Sequence, residues 1–161
     1  MIILKKIIFG ITSLTIGGAE RVLVDLANKL SEEYDITIFT IYDGGELRKE
    51  LNPQIKKIAL YRKQFKDLSK IEKIKASLRL IVYKNKIYEA IMKRGFDTEI
   101  AFLEGPITRL FSVKSNKKKI AWIHNDISKV YGNNFKAKLK KLVDGQVYKK
   151  YDKLVFVSEE N

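Results

Sequence analysis

Ile16-Gly17-Gly18-Ala19-Glu20-Arg21 stands between an apolar run, Ile7-Ile8-Phe9-Gly10-Ile11, and an amphipathic run over residues 22–30. Strand, glycine pair and helix start in that order predict the β–loop–α opening of an α/β fold. A turn of this kind leaves the first N–H groups of a helix without intrahelical partners. They attract phosphate or another anion without help from any side chain. Glycine at 17 and 18 lets a ligand approach the backbone closely and allows a positive φ. A tight turn with no ligand fits the same two glycines equally well, so the reading rests on the company they keep.

That company is an alternation of strand-like and helix-like segments. Strands are expected at residues 7–11, 36–42, 55–60, 98–103, 120–123 and 154–157, and helices at 18–30, 45–51, 68–94, 107–111 and 135–149. Strict alternation predicts the α/β class: a single Rossmann-like, doubly wound parallel sheet flanked by helices. The near-continuous apolarity of residues 7–11 and of Leu154-Val155-Phe156-Val157 predicts strands buried on both faces, and the polar alternation of 55–60 predicts an edge strand. In open parallel sheets ligands bind beyond the carboxyl ends of the strands. Residues 12–18, 43–45, 104–105, 124–126 and 158–161 are therefore expected on one rim.

In the first helix Glu20 suits the positive end of the helix dipole, and Val22, Leu23, Leu26, Ala27 and Leu30 are expected to face the core. Arg21 reads as a solvated first-turn residue, with anion binding as its alternative. Residues 68–94 carry two apolar stripes. Ile71, Ile74, Leu78, Ile81, Tyr88 and Met92 form one, and Leu80, Tyr83, Ile87 and Ile91 form the other. One stripe is expected to cover the sheet and the other to be buried against a neighbouring helix. The basic band Lys75, Arg79, Lys86 and Lys93 beside them offers peripheral contact with an anionic membrane as the alternative. Further lysines cluster at Lys117–Lys119 and at Lys136, Lys138, Lys140 and Lys141, as solvated faces or an anion-facing surface.

The chain has 161 residues, the size of one domain, and a formal charge of +13 from 32 basic and 19 acidic residues. The excess points to polyanionic or phosphate-bearing partners, or to a surface solvated by lysine. The absence of cysteine excludes disulfides, zinc–thiolate sites and cysteine nucleophiles, and a single histidine excludes a multi-histidine metal centre. Without a signal-like start or an apolar run of ~18 residues, the protein is expected in the cytoplasm, with the basic band offering contact at the inner face of the membrane.

His124 is the sharpest chemical candidate. It follows Ile120-Ala121-Trp122-Ile123 directly, so it sits at the carboxyl end of a strand, with Asp126 two residues on to orient it. There it can hydrogen-bond a sugar hydroxyl or act as a base; a backbone-bonded loop histidine is the plainer reading. Glu104-Gly105-Pro106 brings a carboxylate to the same rim, to hold hydroxyls or to cap the next helix. Asp43 imitates the ribose-binding acid of dinucleotide folds, but no Gly-x-Gly-x-x-Gly precedes it.

Taken in order, Gly17-Gly18-Ala19-Glu20-Arg21, Phe102-Leu103-Glu104-Gly105, Trp122-Ile123-His124-Asn125-Asp126 and Tyr151-Asp152-Lys153-Leu154-Val155-Phe156-Val157-Ser158-Glu159 resemble the N-terminal domain of GT-B fold glycosyltransferases. The chain is most similar to the retaining family four, which includes many enzymes of bacterial cell-surface polysaccharide synthesis. The resemblance covers essentially all of residues 1–161. It implies an acceptor-binding domain that faces a donor-binding domain across a cleft. It places Gly17 and Gly18 against the donor diphosphate and His124 at the transferred sugar, with Asp126 nearby. It implies a nucleotide-sugar donor as substrate, no separate cofactor or metal, and a sugar, polysaccharide or lipid-linked acceptor. In the mechanism proposed for that family the leaving phosphate itself assists the incoming hydroxyl. The likeness stops at Ser158-Glu159-Glu160-Asn161, where the family's linker begins. The donor domain is thus expected to be absent, and residues 1–161 alone to fold without transferring sugar. Two other readings remain: a basic nucleic-acid-binding module, which lacks the aromatic and basic signatures of the common RNA modules, and half of a GT-B nucleotide-sugar epimerase.

Overall fold

The computed structural model describes residues 4–124 and 145–157. Six strands form one sheet: β1 (Lys6–Ile11), β2 (Asp35–Tyr42), β3 (Lys56–Tyr61), β4 (Thr98–Ala101), β5 (Lys118–Ile123) and β6 (Lys153–Phe156). Every pairing is parallel, and the strand order is β3-β2-β1-β4-β5-β6. Among the described residues four complete α-helices accompany it: α1 (Gly18–Leu30), α2 (Lys70–Val82), α3 (Lys84–Met92) and α4 (Pro106–Phe111). Short 3-10 segments lie at Glu46–Glu50 and Phe65–Asp67, and residues 145–148 are helical. This is a Rossmann-like α/β fold, as the alternation predicts. The expected helix at 135–149 falls largely outside the described residues.

Alternate residues of the central strands feed two cores. Phe9 and Ile11 join Leu23, Val24 and Ala27 of α1, with Ile38, Ile100 and Phe102. Ile8 joins Phe39, Ile87, Tyr88 and Ile91, with Ala101, Phe111 and Ala121. Gly10 allows a close approach between β1 and α4, since a Cβ there would come within 2.7 Å of the Phe111 ring. Burying each of these aliphatic or aromatic side chains contributes roughly 1.5–3 kcal/mol.

The structure departs from the sequence reading at four places. In α1 the buried face holds Val24, whereas Val22 is 45% exposed, because the face centres on Leu23 and Ala27. The single helix expected over 68–94 breaks at Tyr83 (φ −102, ψ 17) into α2 and α3. The break gives α3 its own orientation, so Tyr88 is buried beside Ile87 and Ile91 while the α2 part of the first stripe faces solvent. β6 is an edge strand rather than one buried on both faces; Leu154 is 39% and Phe156 64% exposed. Lastly, Lys119 is not part of a solvated run.

Lys119 and Glu99 are 3% and 1% exposed and form an ion pair between neighbouring strands. The Lys119 Nζ also donates to the Tyr88 hydroxyl at 2.8 Å and to the Phe111 carbonyl at 2.7 Å. The Tyr88 hydroxyl lies 2.8 and 2.7 Å from the two Glu99 oxygens, and Ser115 Oγ donates to one of them at 3.3 Å. The network thus ties β4, β5, α3 and α4 together with its polar atoms engaged. A second device, unread in the sequence, is the capping box of α2: the Ser69 N–H donates to Glu72 at 2.8 Å, and the Glu72 N–H donates to Ser69 Oγ at 3.2 Å.

Removing one partner of a buried pair leaves an uncompensated charge, so Lys119→Met is expected to cost about 3–5 kcal/mol in urea unfolding. Adding Glu99→Gln should restore part of that stability. A Lys119→Met variant as stable as the unaltered protein would show that the pair holds nothing together.

Candidate functional site

The sheet order reverses between β1 and β4, and the helices that follow these strands pack on opposite faces, the arrangement in which open parallel sheets form a crevice at the carboxyl rim. The β1 loop leads through Gly17, the N-cap of α1, into Gly18. It is braced by its neighbour: the Tyr42 N–H donates to the Thr12 carbonyl and the Leu47 N–H to the Leu14 carbonyl, both at 3.0 Å. Gly45 makes this bracing possible, since its φ is +100 and a Cβ would meet the Leu14 carbonyl at 2.2 Å. Positive φ thus belongs to Gly44, Gly45, Gly95 and Gly105 among the described residues, and not to the pair at 17 and 18. Gly17 is extended, with φ −168.

The two glycines differ in their surroundings. A Cβ on Gly17 would meet the Glu20 carboxylate at 2.2 Å, whereas one on Gly18 would meet nothing within 4 Å. Glu20 therefore folds back over its own helix start, and Gly18 is the open approach to the backbone. Ile16, beside them, is 77% exposed.

His124 ends β5 on the α1 face of the sheet, in phase with Ile120 and Trp122. Its ring lies 4.9 Å from that of Phe102 and 6.3 Å from that of Trp122, with an interplanar angle of 15° to the latter. Phe102 in turn packs edge-on against Phe9 at 6.0 Å. Burial in this aromatic stack pushes the His124 pKa below its ordinary 6.5. Glu104, Glu20 and a hydrogen bond to the Phe102 backbone pull the other way without prevailing. The imidazole is therefore neutral at pH 7.

The Phe102 N–H already donates to the Gly10 carbonyl at 2.8 Å, so it is the Phe102 carbonyl that faces the imidazole as an acceptor. His124 Nε2 is buried and has no hydrogen-bond partner among the described residues. Trp122 Nε1–H, in the same stack, is also buried and unpartnered among the described residues. A buried unpaired group costs about 1–3 kcal/mol, and a ligand hydroxyl that satisfies it recovers that cost.

The other sequence-derived candidates are placed as follows. Glu104 follows β4 at the same crevice and acts electrostatically on His124; the N-cap of α4 is Gly105. Asp126 lies outside the described residues, as do the lysines at 136–141 and the segment 158–161. Asp43 is engaged by the Gly44 N–H at 2.8 Å and by an ion pair with Arg48, which removes it as a free ribose acceptor. Arg21 is exposed, as a solvated first-turn residue is expected to be, and its guanidinium pairs with Glu50 at the surface. Sequence reasoning passed over Trp122 and Glu20. The alternation Ile120, Trp122, His124 was the available signal for the first. No helix among the described residues is long and apolar enough to cross a membrane.

No protein-family model matches the chain, and no curated protein matches its sequence.

The lone histidine makes its titration unambiguous in an NMR experiment. Its midpoint is expected below 6.5 and lower still in Glu104→Gln, which removes the largest charge favouring the imidazolium. Because the folded state disfavours the proton, His124 contributes stability above the ordinary histidine value, and this is lost as pH falls through the depressed one. A midpoint above 6.5 would contradict the buried neutral ring.

Proposed function

We propose that residues 1–161 form the acceptor side of a glycosyltransferase of the GT-B kind. In it a sugar passes from a nucleotide-sugar donor to a saccharide or lipid-linked acceptor, with retention at the anomeric carbon. The observation that carries this reading is the Nε2 of His124, buried and unpartnered among the described residues, at the rim that also holds the glycine turn. The motif order in the sequence supports it, and so does the parallel sheet with its switch between β1 and β4.

In this reading a hydroxyl of the transferred or accepting sugar donates to His124 Nε2, and a second sugar oxygen accepts from Trp122 Nε1–H. Phe102 and Trp122 supply apolar ring surface of the kind that suits a sugar's C–H face. The open backbone at Gly18 and the positive end of α1 face the donor diphosphate, whose charge must displace the Glu20 carboxylate from the helix start. Glu104 orients hydroxyls from the opposite wall. The nucleotide and the leaving phosphate are held by a second domain. Both substrates and the developing phosphate charge then come together only when that domain closes on this one.

Trp122 is the only tryptophan, so intrinsic fluorescence reports on the site directly. Titration with a panel of nucleotide sugars and saccharide acceptors is expected to perturb that emission and the His124 resonances together. Gly18→Ala should leave the fold unchanged or slightly more stable, as its Cβ meets open space, while it weakens donor binding. In the two-domain enzyme His124→Ala should lower transfer by roughly 10²–10⁴-fold while the variant remains folded. No response of either probe to any sugar ligand, or undiminished transfer in the alanine variant, removes His124 from the site.

A further inference from the structure

We propose that the exposed apolar stripe of α2 docks on an anionic lipid surface. Ile71, Ile74, Leu78, Ile81 and Val82 are 55–71% exposed on this one helix. At ~100° per residue they fall within an arc of about 100°. Ala76, on the opposite side, is the only residue of α2 that is buried. The helix thus gives the core very little and turns its largest aliphatic side chains to water. A contiguous exposed patch of this kind marks an interaction surface.

Charge identifies the occupant. Lys70 and Lys75 lie about 20° beyond the two edges of the stripe, with Lys73 and Arg79 next outward. The single carboxylate of α2, Glu72, is engaged by the Ser69 N–H at 2.8 Å and by Lys63 at 3.0 Å. A second copy of the chain would set lysine rows against lysine rows. An anionic bilayer supplies an apolar interior for the stripe and negative headgroups for both rows. The ends of the stripe have matching chemistry. Phe65 and Tyr83 are each 49% exposed, with the Lys73 ammonium 4.6 Å from the first ring and the Lys86 ammonium 6.0 Å from the second. Lysine stems lying along apolar surface carry their charge up to the headgroups.

Docking in this orientation has a consequence for the rim. A cavity of about 520 Å³ at the carboxyl ends of β1 and β2 has Leu80 and Ile81 of α2 in its wall, with Lys84 and Leu110. Ile81 belongs to both stripe and cavity, so a seated α2 brings the mouth of an apolar pocket to the lipid surface. The inference goes beyond the sugar-transfer reading and stands without it.

Flotation with vesicles of phosphatidylglycerol and phosphatidylcholine, against phosphatidylcholine alone, tests it. The protein should float with the anionic vesicles, less so as salt rises. Ile74→Ser/Leu78→Ser/Ile81→Ser should weaken partitioning about tenfold or more, and Lys70→Glu/Lys75→Glu should abolish the preference for anionic lipid. The lysine variant buries nothing, so it reads the surface even if the serine variant unfolds. His124→Ala should float like the unaltered protein, which separates this surface from the catalytic reading. Failure of the unaltered protein to float with anionic vesicles, or flotation of both α2 variants equal to it, overturns the proposal. A dimer in sedimentation that the three serines abolish would also overturn it.

Discussion

β1 is held in parallel on both sides, by β2 through Lys6–Ile11 against residues 35–40 and by β4 through residues 7–10 against 98–101. From this central strand the chain moves outward through β2 to β3, then returns to the other side for β4, β5 and β6. The reversal is the constraint on which the rim depends. The helices that follow β1 and β4 pack on opposite faces, so no connection crosses the gap between them. Gly18, exposed at the start of α1, and Glu104 follow the two strands at that gap for this reason, and His124 follows β5 alongside. Two close approaches lie along this path: Gly10 under the Phe111 ring, and Gly45 under the Leu14 carbonyl in the loop that follows β1.

Polar groups buried in the sheet fall into two populations. Toward the amino ends of β4 and β5, the Glu99 carboxylate, Lys119 ammonium and Tyr88 hydroxyl satisfy one another and leave nothing for a ligand. Toward the carboxyl ends, Trp122 Nε1 and His124 Nε2 are buried without partners among the described residues. A satisfied network strengthens the fold, whereas an unsatisfied pair weakens it unless something binds. That contrast, within two adjacent strands, separates the structural end of the sheet from the end that has chemistry to offer. It also assigns the two charged residues most easily mistaken for ligands. Asp43 and Arg21 pair with Arg48 and Glu50 near the surface.

The break at Tyr83 has a comparable effect on the helices. A continuous helix over residues 68–94 would have carried Tyr88 along the outward stripe. With the chain re-aimed after Tyr83, α3 buries Ile87, Tyr88 and Ile91, and Tyr88 reaches the Glu99–Lys119 pair. α2 is left on the surface with its aliphatic stripe and its flanking lysines.

The strand–helix alternation, the edge position of β3, the boundaries of α1 and the assignment of the glycine turn, Glu104 and His124 to strand ends were all legible in the residues. They depend on local periodicity and on turn-forming residues, which act over a few positions. The burial of Lys119 and Glu99, the exposure of β6 and of the α2 stripe, and the preference of α1 for Val24 over Val22 were not. Each depends on which distant element arrives as a neighbour. A lysine next to two others reads as solvated until a carboxylate from the adjacent strand lies within reach. Four apolar residues read as buried until the strand proves to be an edge. The sequence by itself determined a parallel α/β sheet with a polar rim. Only the tertiary structure decided that His124 Nε2 is buried without a partner among the described residues, because the Phe102 and Trp122 rings that desolvate it arrive by packing across strands.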